Sequence, residues 1–366
     1  MEIHIFIARM GVGGAERVCV NLANEFAKKG HEVHIVVLNL ENDVNTHLLD
    51  KKVQVHSLGV SRLRYSFIAM LKYVKKYRPP FFFVFGNEMA VILNKLRKAH
   101  LINTPLIVRV LNNVNISLSK EDNVSPIVEN YLKNAQKQLA DMDHVIAQCD
   151  AMQEMLLNMQ LVKKEQVSVI YNPVSEYLLH NTVRKNNENP NKQIVFVGRV
   201  DPQKNLPHLV RAFAKVLEKR PDTQLRIIGD GHSKESLMKV IEELKITNKI
   251  SMEGITSHIE EVYATADVIA LSSEYEGMPN CLIEAIGIGI PIVSYDCPLG
   301  PSEIIEDGVN GYLVTYNDID ELAQKLVLAL DRKWDTEAIK ETCDKFRVEH
   351  VAKKYLQIFE KIVDRC

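Results

Sequence analysis

The sequence predicts an α/β protein built from two doubly wound domains with parallel sheets. Its first 40 residues read as a buried strand (3–8), a glycine-rich turn (11–14), a helix and a second strand (32–38). That order is the opening of a doubly wound domain. A second strand–loop–helix unit starts at 193–197, just after an Asn-rich cluster at 186–191 that marks a boundary. A chain of 366 residues is long enough for two cores.

Composition excludes several classes of protein. Hydrophobic residues make up 46% and charged residues 25%, which is ordinary for a soluble globular protein. No apolar run is long enough for a membrane span, and the first residues lack the pattern of a signal peptide. The six Cys are scattered without a Cys-x-x-Cys pair, which favours reduced thiols over disulfides or a zinc site. We therefore expect a cytoplasmic chain.

Charge is distributed unevenly along the chain. Residues 1–175 carry 21 Lys and Arg against 16 Asp and Glu, whereas the remainder is acidic and the net charge is −2. The predicted helix 61–78 has a basic side that includes Arg64, Lys72 and Lys75. Such a helix can lie on an anionic membrane surface or can simply present a solvated face. The second interpretation is favoured, and peripheral membrane contact stays open as an alternative.

The glycine-rich turn does not fit a dinucleotide-binding site. A Gly-x-Gly-x-x-Gly pattern starting at Gly11 would need glycine at position 16, which is Glu16. The second strand also ends in Leu38-Asn39-Leu40, without the acidic residue that would hold a ribose. A dehydrogenase is therefore not predicted.

Two cations follow the first strand of the second domain. Arg199 and Lys204 lie in the loop before a helix for which Asn205 is a suitable N-cap and Pro207 fits the first turn. Positive charge beside the positive end of a helix dipole is unfavourable, so a bound anion would relieve the cost. This loop is a candidate anion site.

Two carboxylates flank a second candidate site. The strand 268–271 runs into a polar turn, and a helix is predicted to begin near Pro279. Glu276 precedes that helix and Glu284 lies within it, with seven residues between them. The backbone N–H groups of 277–280 and the helix dipole would favour anions or hydroxyls. Gly277 would allow a ligand to approach the backbone closely.

These motifs resemble those of retaining glycosyltransferases of family 4, which have the GT-B fold of two Rossmann-like domains facing each other across a cleft. The resemblance rests on Glu276-x7-Glu284, on Gly198-Arg199 with Lys204-Asn205, and on the turn Gly11-Val-Gly-Gly14. It implies a nucleotide-sugar donor whose diphosphate is neutralised by Arg199 and Lys204. Glu284 would hold the ribose and Glu276 the transferred sugar. The expected donor-binding residues are Gly13, Gly14, Arg199, Lys204, Gly277, Met278, Pro279, Asn280 and Glu284, and the expected catalytic residues are Glu276, Arg199 and Lys204.

The acceptor side departs from the family pattern. Many members carry a histidine near the donor sugar, yet residues 81–115 contain only His100, which falls in a predicted helix or linker. Ligands of open α/β sheets bind at the carboxyl ends of the strands, so Asn87, Arg109 and Asn112 are the acceptor-side candidates. Asp141-Met-Asp143 matches a metal motif of other glycosyltransferases, but it precedes a strand instead of ending one. We therefore expect no metal and no cofactor.

The resemblance also implies the domain limits and the function. It predicts an N-terminal domain over 1–175, joined by a final helix at about 350–366, and a nucleotide-sugar domain over 176–349. It predicts retaining, metal-independent transfer from a UDP-hexose or UDP-N-acetylhexosamine to a polysaccharide or lipid-linked oligosaccharide, as in capsule, O-antigen or lipopolysaccharide synthesis. Nucleic acid is not an expected partner. A sugar-nucleotide epimerase and a non-catalytic nucleotide-sugar-binding module remain the alternatives.

Overall fold

The structure is a computed structural model that describes residues 1–41, 43–111, 138–183 and 191–364. The chain forms two compact units. The first comprises Met1–Pro173 with Phe346–Cys366, and the second comprises Val174–Lys345. The boundaries predicted from the sequence lie two and four residues further along the chain.

The described residues form parallel strands that mostly alternate with helices. The strands are β1 (Glu2–Phe6), β2 (Glu32–Val37), β3 (Gln54–Ser57), β4 (Phe82–Phe85), β5 (Leu106–Arg109), β6 (His144–Ala147), β7 (Val167–Val169), β8 (Lys192–Val197), β9 (Thr223–Ile228), β10 (Ile250–Gly254), β11 (Val268–Leu271), β12 (Ile292–Tyr295) and β13 (Gly311–Val314). The α-helices are α1 (Gly14–Lys28), α2 (Ser66–Tyr77), α3 (Asn87–Lys98), α4 (Asp150–Asn158), α5 (Glu176–Asn181), α6 (Leu206–Lys219), α7 (Lys234–Glu243), α8 (Ile259–Thr265), α9 (Asn280–Ile288), α10 (Pro301–Ile304), α11 (Ile319–Asp331), α12 (Thr336–Glu341) and α13 (Val348–Val363). This arrangement confirms the predicted α/β class.

The first unit contains a seven-stranded sheet in the order β3-β2-β1-β4-β5-β6-β7, with every pair parallel. Its central strands are buried on both faces because helices cover both sides of such a sheet. Helix α13 follows the second unit in sequence but packs in this core. The ring of Tyr355 lies 5.1 Å from that of Phe83, measured between centroids. The strand order reverses between β1 and β4.

The second unit contains a six-stranded parallel sheet in the order β10-β9-β8-β11-β12-β13. The order reverses between β8 and β11, because β9 and β10 lie to one side of β8 and the later strands to the other. On helix α6, Leu209, Val210 and Phe213 are buried as expected, but the fourth expected residue, Leu217, is only partly buried and Val216 is buried in its place. In open α/β sheets, ligands bind outside the carboxyl ends of the strands at such a reversal.

Several local predictions need correction. Strand β3 was not predicted, and helix α3 was expected only as a helix or linker before residue 101. Helix α2 begins at Ser66 after a short 3₁₀ turn rather than at residue 61. Asn205 precedes helix α6 as predicted, but it has a left-handed backbone with φ of 45° and its side chain does not cap the helix. Its amide instead donates a hydrogen bond to Glu274 Oε1 at 3.0 Å. Among the described residues, no helix is long and apolar enough to cross a membrane.

Two glycines at neighbouring strand ends of the second unit offer a matched test of packing. Gly229 has φ of 135°, and a Cβ there would lie 1.8 Å from the carbonyl oxygen of Gly198. Gly254 has φ of 71°, but a Cβ there would meet no atom of the described residues within 4 Å. Both residues have backbones that L-amino acids avoid, and only Gly229 is also closely packed.

Replacing Gly229 with Ala should therefore lower the free energy of unfolding by about 3–5 kcal/mol, since backbone strain adds to steric overlap. Gly254→Ala should cost about 1–2 kcal/mol through strain alone. Urea denaturation followed by the fluorescence of Trp334, the single tryptophan of the chain and part of the second unit, measures both variants. Equal losses would contradict the assigned contact between Gly229 and Gly198.

Candidate active site

A buried ion pair joins the loops that follow β8 and β11, at the reversal of the second sheet. Lys204 Nζ lies 2.5 Å from Glu276 Oε1, and the two side chains are only 13% and 7% exposed. Ser273 Oγ donates a second hydrogen bond to the same carboxylate oxygen at 2.5 Å. The structure thus brings together Lys204 and Glu276, which belong to separate motifs of the sequence, and Ser273 is a further donor to the Glu276 carboxylate that neither motif indicated.

Electrostatics keep this lysine charged. Burial alone would lower the pKa of Lys204, but the adjacent Glu276 carboxylate outweighs that effect and the pKa is raised. A Lys ammonium is therefore held inside the second unit with little exposure to solvent. Charge at such a position acts strongly on any anion that approaches, because less water screens it.

The predicted charged residues of the second unit converge near the first turn of helix α9. Cys281, in that turn, is 8% exposed, and burial raises the pKa of its thiol to about 12. The charges of Lys204, Glu276 and Glu284 all act on this thiol. The Arg199 charge in turn acts on Lys204. The charged groups of the two motifs therefore act on one another, and Asp201 adds a carboxylate 3.0 Å from Arg199.

Hydrogen bonds fasten the loop after β8 to the loop after β11. Ser272 Oγ donates to the carbonyl oxygens of Lys204 at 2.9 Å and Asn205 at 3.1 Å. Gln203 Nε2 donates to the carbonyl oxygen of Tyr275 at 2.9 Å. The carbonyl oxygen of Gln203 accepts from the backbone N–H of Glu274 at 2.8 Å. These bonds hold Lys204 and Glu276 in place through the backbone as well as through their own contact.

Arg199 differs from Lys204 in its surroundings. Its side chain is 65% exposed and lies 3.0 Å from Asp201 Oδ2, measured from a guanidinium nitrogen. A second nitrogen donates to Gln203 Oε1 at 3.3 Å. Asp201, which is 12% exposed, also lies 3.1 Å from His232 Nδ1. Arg199 is thus positioned by its neighbours while its charge remains accessible to a ligand.

Glu284 lies on helix α9 and is oriented by a tyrosine. It is 5% exposed, and Tyr263 Oη, itself fully buried, donates a hydrogen bond to Glu284 Oε2 at 2.7 Å. Helix α9 begins at Asn280 with Pro279 just before it, close to the predicted start. Nothing in the sequence around Tyr263 indicated this contact, because residues 263 and 284 belong to different helices.

The turn before helix α9 is closely packed against a third loop. The backbone N–H of Glu276 donates to the carbonyl oxygen of Pro298 at 3.2 Å. Gly300 has φ of 90°, and a Cβ there would lie 2.7 Å from the carbonyl oxygen of Gly277. Gly277, Met278 and Pro279 are buried, and Asn280 is half-buried. These contacts fix the geometry of the predicted sugar-binding turn.

Some of the ligand-binding residues predicted in the first unit lie where ligands bind in such folds, and one lies outside the described residues. Gly13 and Gly14 lie at the start of helix α1, after β1, and Asn87 is the first residue of helix α3, after β4. They therefore adjoin the reversal of the first sheet, where ligands bind in such folds. The Oδ1 atom of Asn87 is buried and makes no hydrogen bond with the described part of the chain. Asn112 lies outside the described residues.

The prediction that Arg109 contacts the acceptor is not supported by its position. Arg109 is 1% exposed, and its guanidinium donates to Tyr355 Oη at 3.0 Å and to Asn172 Oδ1. It also lies over the ring of Phe85, 5.3 Å from the centroid. These partners satisfy the guanidinium inside the first unit, so its role is to connect β5, α13 and residue 172.

The Asp141-Met-Asp143 segment is a structural turn, as predicted. Asp141 ends a 3₁₀ helix, and Asp143 immediately precedes β6. Asp141 Oδ2 accepts a hydrogen bond from Asn94 Nδ2 at 3.0 Å and lies 2.7 Å from Lys98 Nζ. Asp143 Oδ2 accepts from Arg97 and from the backbone of residue 106. Basic and amide groups of the same unit therefore satisfy both carboxylates.

Solved structures that match the fold of this chain over nearly its whole length are GT-B glycosyltransferases. The lipopolysaccharide outer core galactosyltransferase WaaB in its apo form superposes with a TM-score of 0.73 at 23% identity, covering 99% of this chain and all of that one. HepE (Alr3699) from Anabaena, solved in complex with UDP and glucose, gives a TM-score of 0.77 at 18% identity and covers 99% and 100% of the two chains. The chain therefore has the GT-B fold.

Sequence comparison then gives the family. The model for glycosyltransferase family 4 matches residues 12–176, and the model for glycosyl transferases group 1 matches residues 180–346. A Campylobacter jejuni relative is 27% identical over 382 residues, with 99% of each chain covered; its name is "GalNAc-alpha-(1->4)-GalNAc-alpha-(1->3)-diNAcBac-PP-undecaprenol alpha-1,4-N-acetyl-D-galactosaminyltransferase". The chain belongs to the group 1, family 4 glycosyltransferases, which confirms the resemblance found in its motifs.

Proposed function

We propose that this glycosyltransferase moves a hexose or N-acetylhexosamine from a UDP-sugar to a polysaccharide or lipid-linked oligosaccharide, with retention of configuration and without a metal ion. The observation that carries the proposal is the Lys204–Glu276 pair at the reversal of the second sheet. It holds a cation and a fixed carboxylate side by side where such sheets bind ligands. A sugar diphosphate offers matching groups, namely a leaving anion and hydroxyl donors.

The two cations would stabilise the leaving diphosphate. Lys204 remains charged and little exposed, and Arg199 adds an accessible guanidinium nearby. Positive groups already aimed at developing charge lower the barrier without reorganising during the reaction. In this proposal they replace the metal ion that other glycosyltransferases use at the same point of the reaction.

The two carboxylates would act as hydrogen-bond acceptors. Glu276 would hold hydroxyls of the transferred sugar, since Lys204 and Ser273 already fix its Oε1 atom. Glu284, oriented by Tyr263, would hold the ribose. A glycosidase would instead use its two carboxylates as an acid paired with a base or a nucleophile. In the proposed transferase, by contrast, retention would follow the front-face route, in which a donor phosphate oxygen takes the proton of the acceptor hydroxyl.

The relatives support the choice of donor and acceptor. HepE is described with UDP and glucose, WaaB acts on the lipopolysaccharide outer core, and the Campylobacter enzyme is named for an undecaprenol-linked glycan. We extend these classes to the present chain because its fold and family are the same. Contact with an anionic membrane through the basic side of helix α2, and a cytoplasmic location, belong to the same proposal.

Thermal denaturation with UDP-, GDP-, ADP- and dTDP-sugars should identify the donor. At a concentration a hundredfold above Kd, the correct donor should stabilise the protein by about 2.7 kcal/mol. The shift between donor-bound and donor-free protein should be the same with and without EDTA. It should be lost in Glu284→Gln and kept in Glu261→Gln, an exposed glutamate on the helix that carries Tyr263.

The proposal fails if none of these donors stabilises the protein, or if the shift requires a divalent ion. Incubation of the identified donor with undecaprenol-linked and polysaccharide acceptors then tests transfer, and the anomeric configuration of the product tests retention. Conversion of the donor sugar without any acceptor would instead favour the epimerase alternative. Binding without turnover on every acceptor would favour the non-catalytic module.

A further inference from the structure

Glutamate–histidine pairs repeat on two adjacent strands of the first unit. Strand β1 begins Glu2-Ile3-His4, and strand β2 begins Glu32-Val33-His34. The two strands are parallel, with Glu2 opposite Glu32 and His4 opposite His34. Because side chains alternate along a strand, all four lie on one face of the sheet. They stand where the strands begin, at the edge opposite the one where such sheets bind ligands.

The two histidines are buried and bring their ring nitrogens together. His4 is completely buried and His34 is 3% exposed, with the rings stacked 4.4 Å apart between centroids. Glu2 Oε1 lies 2.6 Å from His4 Nε2 and 3.7 Å from His34 Nε2. The His34 Nε2 atom is buried and makes no hydrogen bond of good geometry with the described part of the chain, although Glu32 Oε1 lies 3.3 Å away. A buried polar atom of this kind is costly unless a ligand satisfies it.

We propose that Glu2, His4 and His34 form a binding site for Zn²⁺ or a similar borderline divalent metal ion. One ligand atom from each residue lies within 4.8 Å of the other two. Ligands at zinc distances in a tetrahedral site are about 3.3 Å apart. The separations of 2.6 and 3.7 Å from Glu2 Oε1 to the two Nε2 atoms lie on either side of that value, so side-chain rotations would bring these atoms to zinc distances. Water would complete the coordination.

The other ring nitrogens already have the supporting partners that metal-binding histidines use. His4 Nδ1 lies 2.8 Å from Tyr73 Oη, and His34 Nδ1 lies 2.9 Å from His56 Nε2. Each Nδ1–H can donate to its partner, which leaves each Nε2 lone pair directed at the metal. The ring of Tyr77 packs against that of His56, with 4.8 Å between the two centroids. One set of tautomers therefore satisfies both imidazoles when a metal is bound.

The donor set selects the kind of metal. Two imidazoles and one carboxylate suit zinc and its neighbours, whereas Mg²⁺ and Ca²⁺ prefer all-oxygen sites. Glu2 is 36% exposed, so an ion can reach the site from solvent. The ion would hold β1 and β2 together and would take no part in sugar transfer.

Addition of zinc to tag-free, EDTA-stripped and dialysed protein tests this site. The full chain should bind one Zn²⁺ per molecule by calorimetry, and its melting temperature should rise with zinc concentration. Co²⁺ in place of zinc should give the visible absorption of a tetrahedral site. Sugar transfer by stripped protein, measured below its melting temperature, should be unchanged, which separates this site from the donor site.

Variants decide whether these residues hold the ion. Glu2→Gln keeps the size of a half-exposed side chain and should weaken zinc binding at least about tenfold, and Tyr73→Phe should weaken it by about 10–100-fold through loss of the supporting hydrogen bond. His258→Asn is the control, because His258 is an exposed histidine 3.5 Å from Glu260, and it should bind zinc like the parent. Absence of stoichiometric binding, or equal affinities for Glu2→Gln and the parent, would overturn the proposal.

Discussion

Replacing Lys204 with Met should lower the free energy of unfolding of the second unit by about 3 kcal/mol, on the order of 10 °C in its melting temperature. The substitution removes the ammonium and leaves the Glu276 carboxylate buried at 7% exposure without its cation. An unpaired buried charge is more costly than the pair that it replaces, because the lost attraction no longer offsets desolvation. Urea denaturation followed by Trp334 fluorescence measures the change in the second unit.

The double variant Lys204→Met with Glu276→Gln is the critical control for stability. It removes both charges and should recover most of the loss, since Gln can still hydrogen-bond to Ser273. Lys215 and Asp320 form an ion pair at the surface, where the Asp320 side chain is 69% exposed. Lys215→Met breaks this exposed pair and should leave the denaturation midpoint unchanged. A stable single variant, or a double variant no better than the single one, would show that the buried pair is not structurally coupled.

Replacing Arg199 with Met should lower kcat/KM for sugar transfer by about 10²–10³-fold with almost no change in stability. The guanidinium is 65% exposed and makes only peripheral contacts with Asp201 and Gln203, so folding does not depend on it. In the proposed reaction it stabilises charge on the departing diphosphate. Initial rates with the donor identified by thermal denaturation measure this loss.

Arg211 provides the control for Arg199. It is an exposed arginine on helix α6 in the same unit, and Arg211→Met should transfer sugar like the parent. The contrast with Lys204 is equally informative, because Lys204→Met should lose both stability and activity whereas Arg199→Met should lose activity alone. An Arg199→Met enzyme with normal kcat/KM would remove this residue from the proposed mechanism.

The fold could be predicted where sequence and environment agree. Short apolar runs such as Val268–Leu271 became strands buried on both faces, and the glycine-rich turns lie between strands and helices. Strand β3 was missed because its residues Gln54–Ser57 are mostly polar and lie at a sheet edge. The start of helix α3 was not located because no side chain caps it and its first residues, Asn87 and Glu88, resemble a loop. Edge position and backbone capping leave little trace in a sequence.

The charged residues of the candidate site could be selected from the sequence, but the contacts that position them could not. Arg199, Lys204, Glu276 and Glu284 stand in motifs that resemble those of the family, whereas the Tyr263 contact to Glu284 joins residues that no local pattern connects. Arg109 shows the opposite error. Its position at the end of a strand suggested a ligand contact, but Tyr355, almost 250 residues later, occupies its guanidinium. Contacts between distant segments require the fold to be known first.

Helix α13 sets the order in which the two units can mature during protein synthesis. Val351, Tyr355, Phe359 and Ile362 belong to the hydrophobic core of the first unit, yet the ribosome adds them only after the whole of the second. Until then, the hydrophobic surface that receives the helix is uncovered and Arg109 lacks its tyrosine partner. The second unit, whose residues are continuous from 174 to 345, can therefore finish folding before the first.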